Sequence, residues 1–300
     1  MRKKHPILFI FLSLSVISLF IFIAAYVITV GLGNFPLSVG EKIAVVKIEG
    51  VILDSKDIIE ELREHRENKS VKAIMLRIDS PGGAVAPSQE IYTEVLNIRD
   101  EGKKKIVTSM GSVAASGGYY IASASDRIVA NPGSVTGSIG VIIELANVSG
   151  LMKKVGVESV VIKSGKFKDV GSLFRTMTPE ERELLQGVID DTYDQFVDAV
   201  AAGRGINKED LLPIADGRVF TGRQAKKLGL VDDLGSMQDA IKITADIAGI
   251  KGEPDIIQKK KKFSILERLL KNSSLAGLID NGKKIAAGEG TFSMKYMLSF

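Results

Sequence analysis

Hydrophobic and polar positions alternate in blocks along the chain, and the spacing within each block predicts its secondary structure. The stretch "EKIAVVKIEGVI" is continuous in apolar residues, as in a buried strand, and "SKDIIEELREHRENK" follows with helical spacing and Ser55 as the predicted N-cap. The same order repeats with "VKAIMLRIDS" before "APSQEIYTEVLNIRDEG", and with "KKIVTSMGS" before a helix of small residues. Further strands are predicted at "DRIVAN", "TGSIGVI" and "VESVVIKSG". This alternation predicts an α/β core.

A long helix is predicted to begin after Thr178, which has the features of an N-cap. Pro179 suits the first helical position, and Glu181 suits the reciprocal position of a capping box. Gly203 and Gly205 mark the end of the helix. The apolar residues predicted on its buried face are Leu184, Val188, Phe196 and Val200. A helix–turn–strand unit in "RVFTGRQAKKLGLVDDLG" and a last helix near 236–248 complete the body, and we expect residues from 251 onward to be peripheral.

Residues 6–32 form the longest apolar run of the chain. Arg2, Lys3 and Lys4 precede it, and no charged residue follows until Glu41. A run of more than about 20 apolar residues predicts a bilayer-spanning helix, and it exceeds the core of a cleaved signal peptide. A buried core helix would need an amphipathic pattern, which this run lacks. Because the basic residues come first, the positive-inside rule places the chain after about residue 32 outside the cytoplasm.

The formal net charge of +4 is unevenly distributed along the 300 residues. Residues 2–4 carry +3 and residues 251–300 carry +5, so the remaining body carries −4. A mildly acidic body gives no support to nucleic-acid binding. The basic run Lys259–Lys262 has two interpretations, a solvated linker or a contact with anionic lipid.

The shortage of cysteine and histidine excludes several kinds of catalytic site. There is no cysteine, so the chain has no disulfide, thiol nucleophile or thiolate metal site. Of the two histidines, His5 adjoins the apolar run and His65 is expected at the solvated end of a helix. We therefore do not expect a Ser-His-Asp triad, and the HExxH zinc site, with two histidines one helical turn apart, is absent. We expect no metal and no cofactor, and a hydrolase on this chain has to work without imidazole.

Two glycine-rich stretches are candidates for a catalytic site. The strand "VKAIMLRIDS" ends in Pro81, Gly82 and Gly83, a turn that can present backbone N–H groups as an oxyanion hole. The next strand ends at Ser116 in "MGSVAASGGYY", where the small residues favour either an exposed nucleophile or tight helix packing. Because consecutive strands of one sheet end near each other, we expect amide donors and a hydroxyl to meet.

A serine nucleophile needs a base, and without histidine the remaining candidate is lysine. The pKa of a lysine, ordinarily about 10.4, must fall for this role, and burial beside apolar surface lowers it. The stretch "IKSGKFKDVGS" contains Lys163, Lys166 and Lys168 after a predicted strand. Spacing alone does not choose among the three.

Five blocks together resemble the bacterial SppA-type signal peptide peptidases, in their short, single-domain form. They are "DSPGG", "GSVAASGGYY", "TGSIGV", "SGKFKD" and "DGRVFTGRQAKKLGLVD", in family order over roughly residues 43–245. The resemblance implies a Clp protease- and crotonase-like fold of repeated ββα units and a Ser/Lys dyad. Residue by residue it implies Ser116 as nucleophile, Lys168 as general base, Ser138 as support for the lysine, and Gly83 and Gly117 as the oxyanion hole. Gly82, adjacent to Gly83, stays an alternative for that donor.

The resemblance also implies an organisation and a function. We expect a cytoplasmic N-terminus at 1–5, a transmembrane anchor at 6–32, an extracytoplasmic peptidase domain at 33–250 and a basic tail at 251–300. The expected protein is a serine endopeptidase of the cytoplasmic membrane that degrades signal peptide remnants, as a homo-oligomer whose dyad is shared between subunits. Two alternatives from other classes are a crotonase-like acyl-CoA enzyme and a non-catalytic membrane scaffold.

Overall fold

The computed structural model describes the backbone of residues 6–32, 41–259 and 294–297, and the side chains at 13–26, 41–259 and 297. The chain divides into two compact units, Met1–Gly40 and Glu41–Phe300. In the first unit helix α1 runs over Pro6–Leu32, and its described side chains are exposed. No helix has the length and hydropathy needed to cross a membrane, counted over the residues that are fully described. Residues 1–5, predicted to be cytoplasmic, lie outside the described residues, and so do Lys260–Lys262 of the basic run.

The second unit is a mixed α/β structure. Its strands are β1 (Lys42–Glu49), β2 (Val71–Ser80), β3 (Gly82–Ala84), β4 (Lys105–Ala115), β5 (Arg127–Ala130), β6 (Val135–Gly137), β7 (Ile142–Ile143), β8 (Val219–Thr221), β9 (Asp233–Leu234), β10 (Asp255–Gln258) and β11 (Met294–Met297). Its helices are α2 (Lys56–Glu67), α3 (Val85–Asp100), α4 (Gly117–Ser123), α5 (Ser149–Val155), α6 (Pro179–Arg204), α7 (Lys208–Leu211), α8 (Gly222–Lys227) and α9 (Met237–Ile247). A 3₁₀ turn at Leu212–Ile214 follows α7.

The central sheet has the strand order β10-β1-β2-β4-β5-β9, and neighbouring strands on this path are parallel. Strand β4 changes partner along its length: Val107–Ser109 pair with β5, whereas Val113–Ala115 pair with β6. Strand β8 pairs with β6 in antiparallel orientation. A second sheet has the order β3-β11-β7. The end of β4 therefore pairs with β6 within the same sheet, and the residues that follow it lie beside the end of β6.

The two faces of the central sheet are buried by different helices. Alternate residues of β1 and β2, such as Val46 and Leu76, belong to a core that includes side chains of α2, α3, α4 and α6. The intervening residues, such as Val45 and Met75, pack with α9 on the other face. Parallel strands covered on both faces are expected to read as continuous apolar runs, as β1 does.

The long helix α6 begins and ends as predicted, but part of its predicted buried face is wrong. Thr178 and Glu181 form the capping box, Pro179 is the first helical residue, and Gly205 ends the helix at φ 63°. Phe196 and Val200 are buried as predicted. The side chains of Leu184 and Val188 are exposed, and Leu185 and Val197 are buried instead. Phe196, Val197 and Val200 belong to the main core, to which α4 also contributes, and this packing buries their side of the helix.

Three local predictions differ from the structure for physical reasons. The stretch "VESVVIKSG" forms no strand, and Ile162 is 97% exposed, because no neighbouring strand pairs with it among the described residues. His65 lies in the last turn of α2, as expected, but its side chain is buried and not solvated. Ser55 is the N-cap residue of α2 as predicted, but its hydroxyl makes no capping bond and donates to the Glu90 carboxylate. In addition, β10, within the segment expected to be peripheral, pairs with β1 at the edge of the central sheet.

Candidate active site

Ser116 lies at the turn between β4 and α4, with its side chain only 1% exposed. Its backbone has φ 53° and ψ −119°, a conformation that costs free energy in any residue with a Cβ. The N–H of Ser116 donates to the Gly137 carbonyl (2.8 Å), and its carbonyl accepts from the N–H of Tyr120 (2.8 Å). The buried Ser116 Oγ has no hydrogen-bond partner among the described residues. A buried hydroxyl without a hydrogen-bond partner lowers the stability of the fold, so such a group suggests that a ligand or a catalytic residue binds there.

The small residues around Ser116 allow α4 to approach β2 closely. A Cβ added to Gly118 would lie 3.1 Å from the carbonyl oxygen of Ser80, so a larger residue would push the helix away from the strand. Gly117 and Gly118 are both fully covered at the start of α4. The packing interpretation therefore holds for the glycines, which let the helix approach the strand. Ser116 lies at the sharp turn, and its role as nucleophile stays a prediction.

The geometry of β3 distinguishes Gly83 from Gly82. The N–H of Ile52 donates to the Gly82 carbonyl (2.9 Å), and the N–H of Ala84 donates to the Ile52 carbonyl (2.7 Å). The N–H of Gly82 itself donates to the Ser80 hydroxyl (3.0 Å). Because successive residues of a strand direct their polar groups to opposite sides, the N–H of Gly83 points away from Ile52. Gly83 is therefore the glycine whose N–H faces the opposite, β11 side of the strand.

Gly83 also has no room for a side chain. A Cβ at this position would lie 2.0 Å from the Ile52 carbonyl oxygen, and an isolated bridge pairs these two residues. Gly82 requires glycine for another reason, its φ of 100°. The "PGG" motif thus supplies one residue for the turn and one for close approach.

Ser138 follows β6 as Ser116 follows β4, and its backbone also has a positive φ, 51°. Its N–H donates to the Arg218 carbonyl (2.8 Å), and its side chain is buried. The bond from the Ser116 N–H to the Gly137 carbonyl places the two serines on adjacent strand ends. The structure therefore brings Ser116, Gly117 and Ser138 together, and β3 with Gly83 packs against α4.

Lys168 is not joined to this group within one chain. Its side chain is exposed, and its ammonium forms no hydrogen bond or ion pair with a described residue. The other two candidate lysines are engaged locally: Lys163 pairs with Asp169, and Lys166 lies 5.2 Å from the centroid of the Phe167 ring. Lys168 is thus the candidate lysine left without a described local partner.

An ion-pair cluster next to Lys168 was not predicted from the sequence. Arg175 Nε donates to Asp169 Oδ2 (2.9 Å) and Nη1 donates to Glu181 Oε2 (2.8 Å). The Arg175 hydrogen bond, followed by that from Lys163, lowers the pKa of Asp169. The Arg175 hydrogen bond, with the backbone N–H of Thr178, lowers the pKa of Glu181 to about 2. The sequence signal that could have predicted this cluster is the capping-box residue Glu181. Its carboxylate accepts from the Thr178 N–H and can accept from a nearby arginine as well.

Tyr119 and Tyr120 next to Ser116 serve packing. The Tyr119 hydroxyl donates to the Leu230 carbonyl (2.9 Å), and burial raises its pKa. Burial raises the pKa of Tyr120 to about 12, and its ring packs against Tyr92 and Phe196 at centroid distances of 4.7 and 5.0 Å. Neither phenol is suited to act as a base near neutral pH. Within the described part of the chain, no cluster of acidic or histidine side chains is arranged to hold a metal ion.

The chain is similar to known proteases. Residues 98–251 match Peptidase family S49, and residues 37–134 match the Clp protease family. A putative protease of Synechocystis sp. is 45% identical over 253 residues, covering 82% of this chain and 90% of the relative. A putative protease of Methanocaldococcus jannaschii is 37% identical over 271 residues, with 85% and 86% covered. The putative signal peptide peptidase SppA of Enterococcus faecium is 34% identical over 265 residues, with 83% and 73% covered.

Proposed function

The chain belongs to peptidase family S49 and has a mixed α/β, Clp protease-like fold, and from this premise we propose that it is a membrane-anchored Ser116/Lys168 endopeptidase. A serine protease activity follows from the family itself. The observation that carries the residue assignment is the buried, unpartnered Ser116 Oγ at a strained turn. Membership of a peptidase family removes the support for the acyl-CoA alternative, whose main basis was the glycine pair.

The proposed reaction is acyl transfer to Ser116. Its Oγ attacks the carbonyl carbon of the scissile peptide bond while the neutral amine of Lys168 accepts the hydroxyl proton. The N–H groups of Gly83 and Gly117 stabilise the oxyanion, and the lysine returns the proton to the leaving amine. Water then hydrolyses the acyl-enzyme, again with Lys168 as base. Ser138 supports the lysine by a hydrogen bond that holds the amine toward Ser116.

The position of Lys168 supports a dyad completed between subunits. Within one chain the Ser116 hydroxyl has no described partner and the Lys168 side chain is exposed. Large apolar side chains are exposed in the same segment, among them Val160, Ile162, Phe167 and Phe174. A neighbouring copy that covered this segment would remove both the apolar surface and the lysine from water, as a neutral amine requires. We therefore propose a homo-oligomer.

The substrate and the location are proposed from the sequence and from the relatives. Residues 6–32 carry no charge and form one helix, which is the segment proposed as the anchor. The basic residues 2–4 favour a catalytic domain outside the cytoplasm, and this domain follows residue 32 and includes β10 at the edge of its central sheet. The substrate class is apolar peptides such as signal peptide remnants, in line with the name of the Enterococcus relative.

The test compares two pairs of variants of the full chain, purified in detergent and assayed on a peptide library. Ser116→Ala and Lys168→Ala are each expected to lower turnover by more than about 10³-fold. Ser112→Ala, an exposed serine on β4, and Lys166→Ala, in the Lys168 loop, are the matched controls and should keep normal turnover. Full activity of either first variant rejects the assignment.

Co-expression of the two inactive variants tests the shared dyad. In a mixed oligomer, a chain with Ser116 intact can neighbour a chain with Lys168 intact, so part of the activity should return. If each dyad is formed within one chain, every mixed oligomer contains only broken sites. Complete inactivity of verified mixed oligomers therefore contradicts the shared dyad, while the residue assignment stands.

A further inference from the structure

Strand β4 contains a bulge shortly before Ser116. The pairing of β2 with β4 shifts its register between Ile78 and Ser80. As a result one residue of β2, Asp79, lies opposite three residues of β4, 111–113, which we call the β4 bulge. At the same place β4 exchanges β5 for β6 as its other neighbour. The β4 bulge therefore determines where the last residues of the strand lie, and with them the start of the turn at Ser116.

Side chains of neighbouring strands bind the backbone of the β4 bulge. A bulge disrupts the regular ladder, so its backbone groups need other partners. The Gly111 carbonyl accepts from the Ser134 hydroxyl (2.6 Å). The Val113 N–H donates to Asp79 Oδ1 (3.0 Å). Asp79 is thus bound to the last residue of the bulge, which is also the first residue of β4 that pairs with β6.

The Asp79 side chain also packs closely against the first residue of the bulge. A Cβ added to Gly111 would lie 2.6 Å from Asp79 Cγ, so the absence of a side chain at Gly111 makes room for the carboxylate. A hydrogen bond from a backbone N–H to a carboxylate is charge-assisted and stronger than one to a neutral acceptor. The Asp79 side chain therefore lies over the β4 bulge and contacts it at both ends.

The residues between the β4 bulge and Ser116 form a continuous ladder. Val113–Ala115 pair with β6, and the Ser116 N–H donates to the Gly137 carbonyl (2.8 Å). Packed and hydrogen-bonded segments of this kind transmit strain instead of absorbing it. A displacement of Val113 should therefore move the backbone of Ser116, three residues later.

We propose that Asp79 is a positioning residue for Ser116: its carboxylate holds the β4 bulge and so fixes where the strand places the nucleophile. The inference rests on the proposed function for the identity of the nucleophile. Asp79 acts through the backbone of β4 and not by contact with the substrate. Because a displacement of about 1 Å in a reacting group can lower turnover by about 10²-fold, loss of the carboxylate acts on kcat. Substrate binding, and with it KM, changes little.

The first experiment measures kcat and KM for the full chain and three variants, each corrected for its folded fraction. Asp79→Ala removes the acceptor and should lower kcat about 10-fold, with KM within about twofold. Asp79→Asn keeps an acceptor oxygen in the same place and should retain most of kcat. Ser112→Ala, which changes an exposed side chain of the same bulge, is the control and should keep normal kcat.

Two results of this experiment overturn the inference. If Asp79 only stabilises the fold, the Asp79→Ala protein unfolds at a lower temperature while its folded fraction keeps normal kcat. If Asp79→Asn loses as much kcat as Asp79→Ala, the hydrogen bond to the Val113 N–H is not what positions Ser116.

The second experiment does not depend on catalysis and measures amide hydrogen exchange in Ser116→Ala, with and without Asp79→Ala. The added substitution should speed exchange at residues 113–115 about 10-fold, whereas β1 and α9 should exchange as before. Unchanged exchange at 113–115, or equal acceleration over the whole sheet, overturns the inference. A fully active Ser116→Ala protein rejects the proposed function instead, whatever the exchange result.

Discussion

Ser116 and Ser138 occupy equivalent places at the ends of two paired strands, and both have a left-handed backbone, with φ of 53° and 51°. They are the non-glycine residues at positive φ in the described part of the chain. Such conformations cost roughly 1–3 kcal/mol each and persist where surrounding structure imposes them. Their adjacency, through the bond from the Ser116 N–H to the Gly137 carbonyl, identifies one strained and buried location.

Two substitutions at Ser138 separate its backbone from its hydroxyl. Ser138→Gly removes the steric cost of positive φ and should raise stability by about 1 kcal/mol, whereas Ser138→Ala keeps that cost. Both remove the hydroxyl proposed to hold Lys168, so both should lower kcat by a similar factor, about 10-fold or more. Thermal unfolding and peptide hydrolysis measure the two effects. Normal kcat in both variants would exclude Ser138 from the proposed mechanism.

Gly83→Ala should damage both the local structure and the activity. The new Cβ would overlap the Ile52 carbonyl, so β3 has to shift, at a cost of about 1–3 kcal/mol. The shift moves the proposed oxyanion donor, and turnover should fall by about 10²-fold. Gly133→Ala, at an exposed glycine with open space around it, is the control. The two variants are compared by thermal unfolding and by kcat, and equal kcat would contradict the role of Gly83.

Arg175 is predicted to act as a positioning residue for Lys168. Arg175 binds both Asp169, which directly follows Lys168 in the chain, and Glu181 at the start of α6. Arg175→Gln should release this segment and lower kcat about 10-fold with little change in KM, because the lysine no longer stays in place. Arg182→Gln, in the same turn of α6, is the exposed control.

A purely structural role of Arg175 predicts a different pattern. In that case stability falls but kcat of the folded fraction does not change. Arg175→Lys should restore part of kcat, since it keeps the charge without the two-pronged geometry. Peptide hydrolysis at saturating substrate, corrected for the folded fraction, decides between the two roles.

The same cluster predicts a specific loss of stability in acid. The pKa of Glu181 is lowered to about 2, and that of Asp169 is also lowered. A depressed carboxyl pKa stabilises the fold above the unfolded value, about 4.3 for glutamate, and this contribution disappears as pH falls toward 2. The unfolding temperature should therefore decline below about pH 4.5, and less steeply in Arg175→Gln, in which the pKa values return toward normal. Parallel curves for the two proteins would show that the cluster does not contribute.

Local patterns in the sequence identified most of the secondary structure and the chemistry of the candidate site. The capping box at Thr178 and the buried strands follow from short-range spacing, which acts in the same way in any context. The absence of cysteine and the scarcity of histidine restricted the nucleophile and the base to serine and lysine. The five blocks that resemble the SppA-type peptidases then indicated Ser116 as nucleophile and Lys168 as base, and both assignments stay predictions.

Features that depend on a distant partner were decided only by the tertiary structure. The stretch "VESVVIKSG" has strand propensity but pairs with no strand of the described residues, and the burial of Val197 with Phe196 depends on the core that α6 shares with α4. Gly83 is distinguished from Gly82 by bonds to Ile52, some thirty residues away. The pairing of Met294–Met297 with β3 joins segments about two hundred residues apart. Residue spacing encodes the local backbone, whereas which surfaces meet depends on the packing of the whole chain.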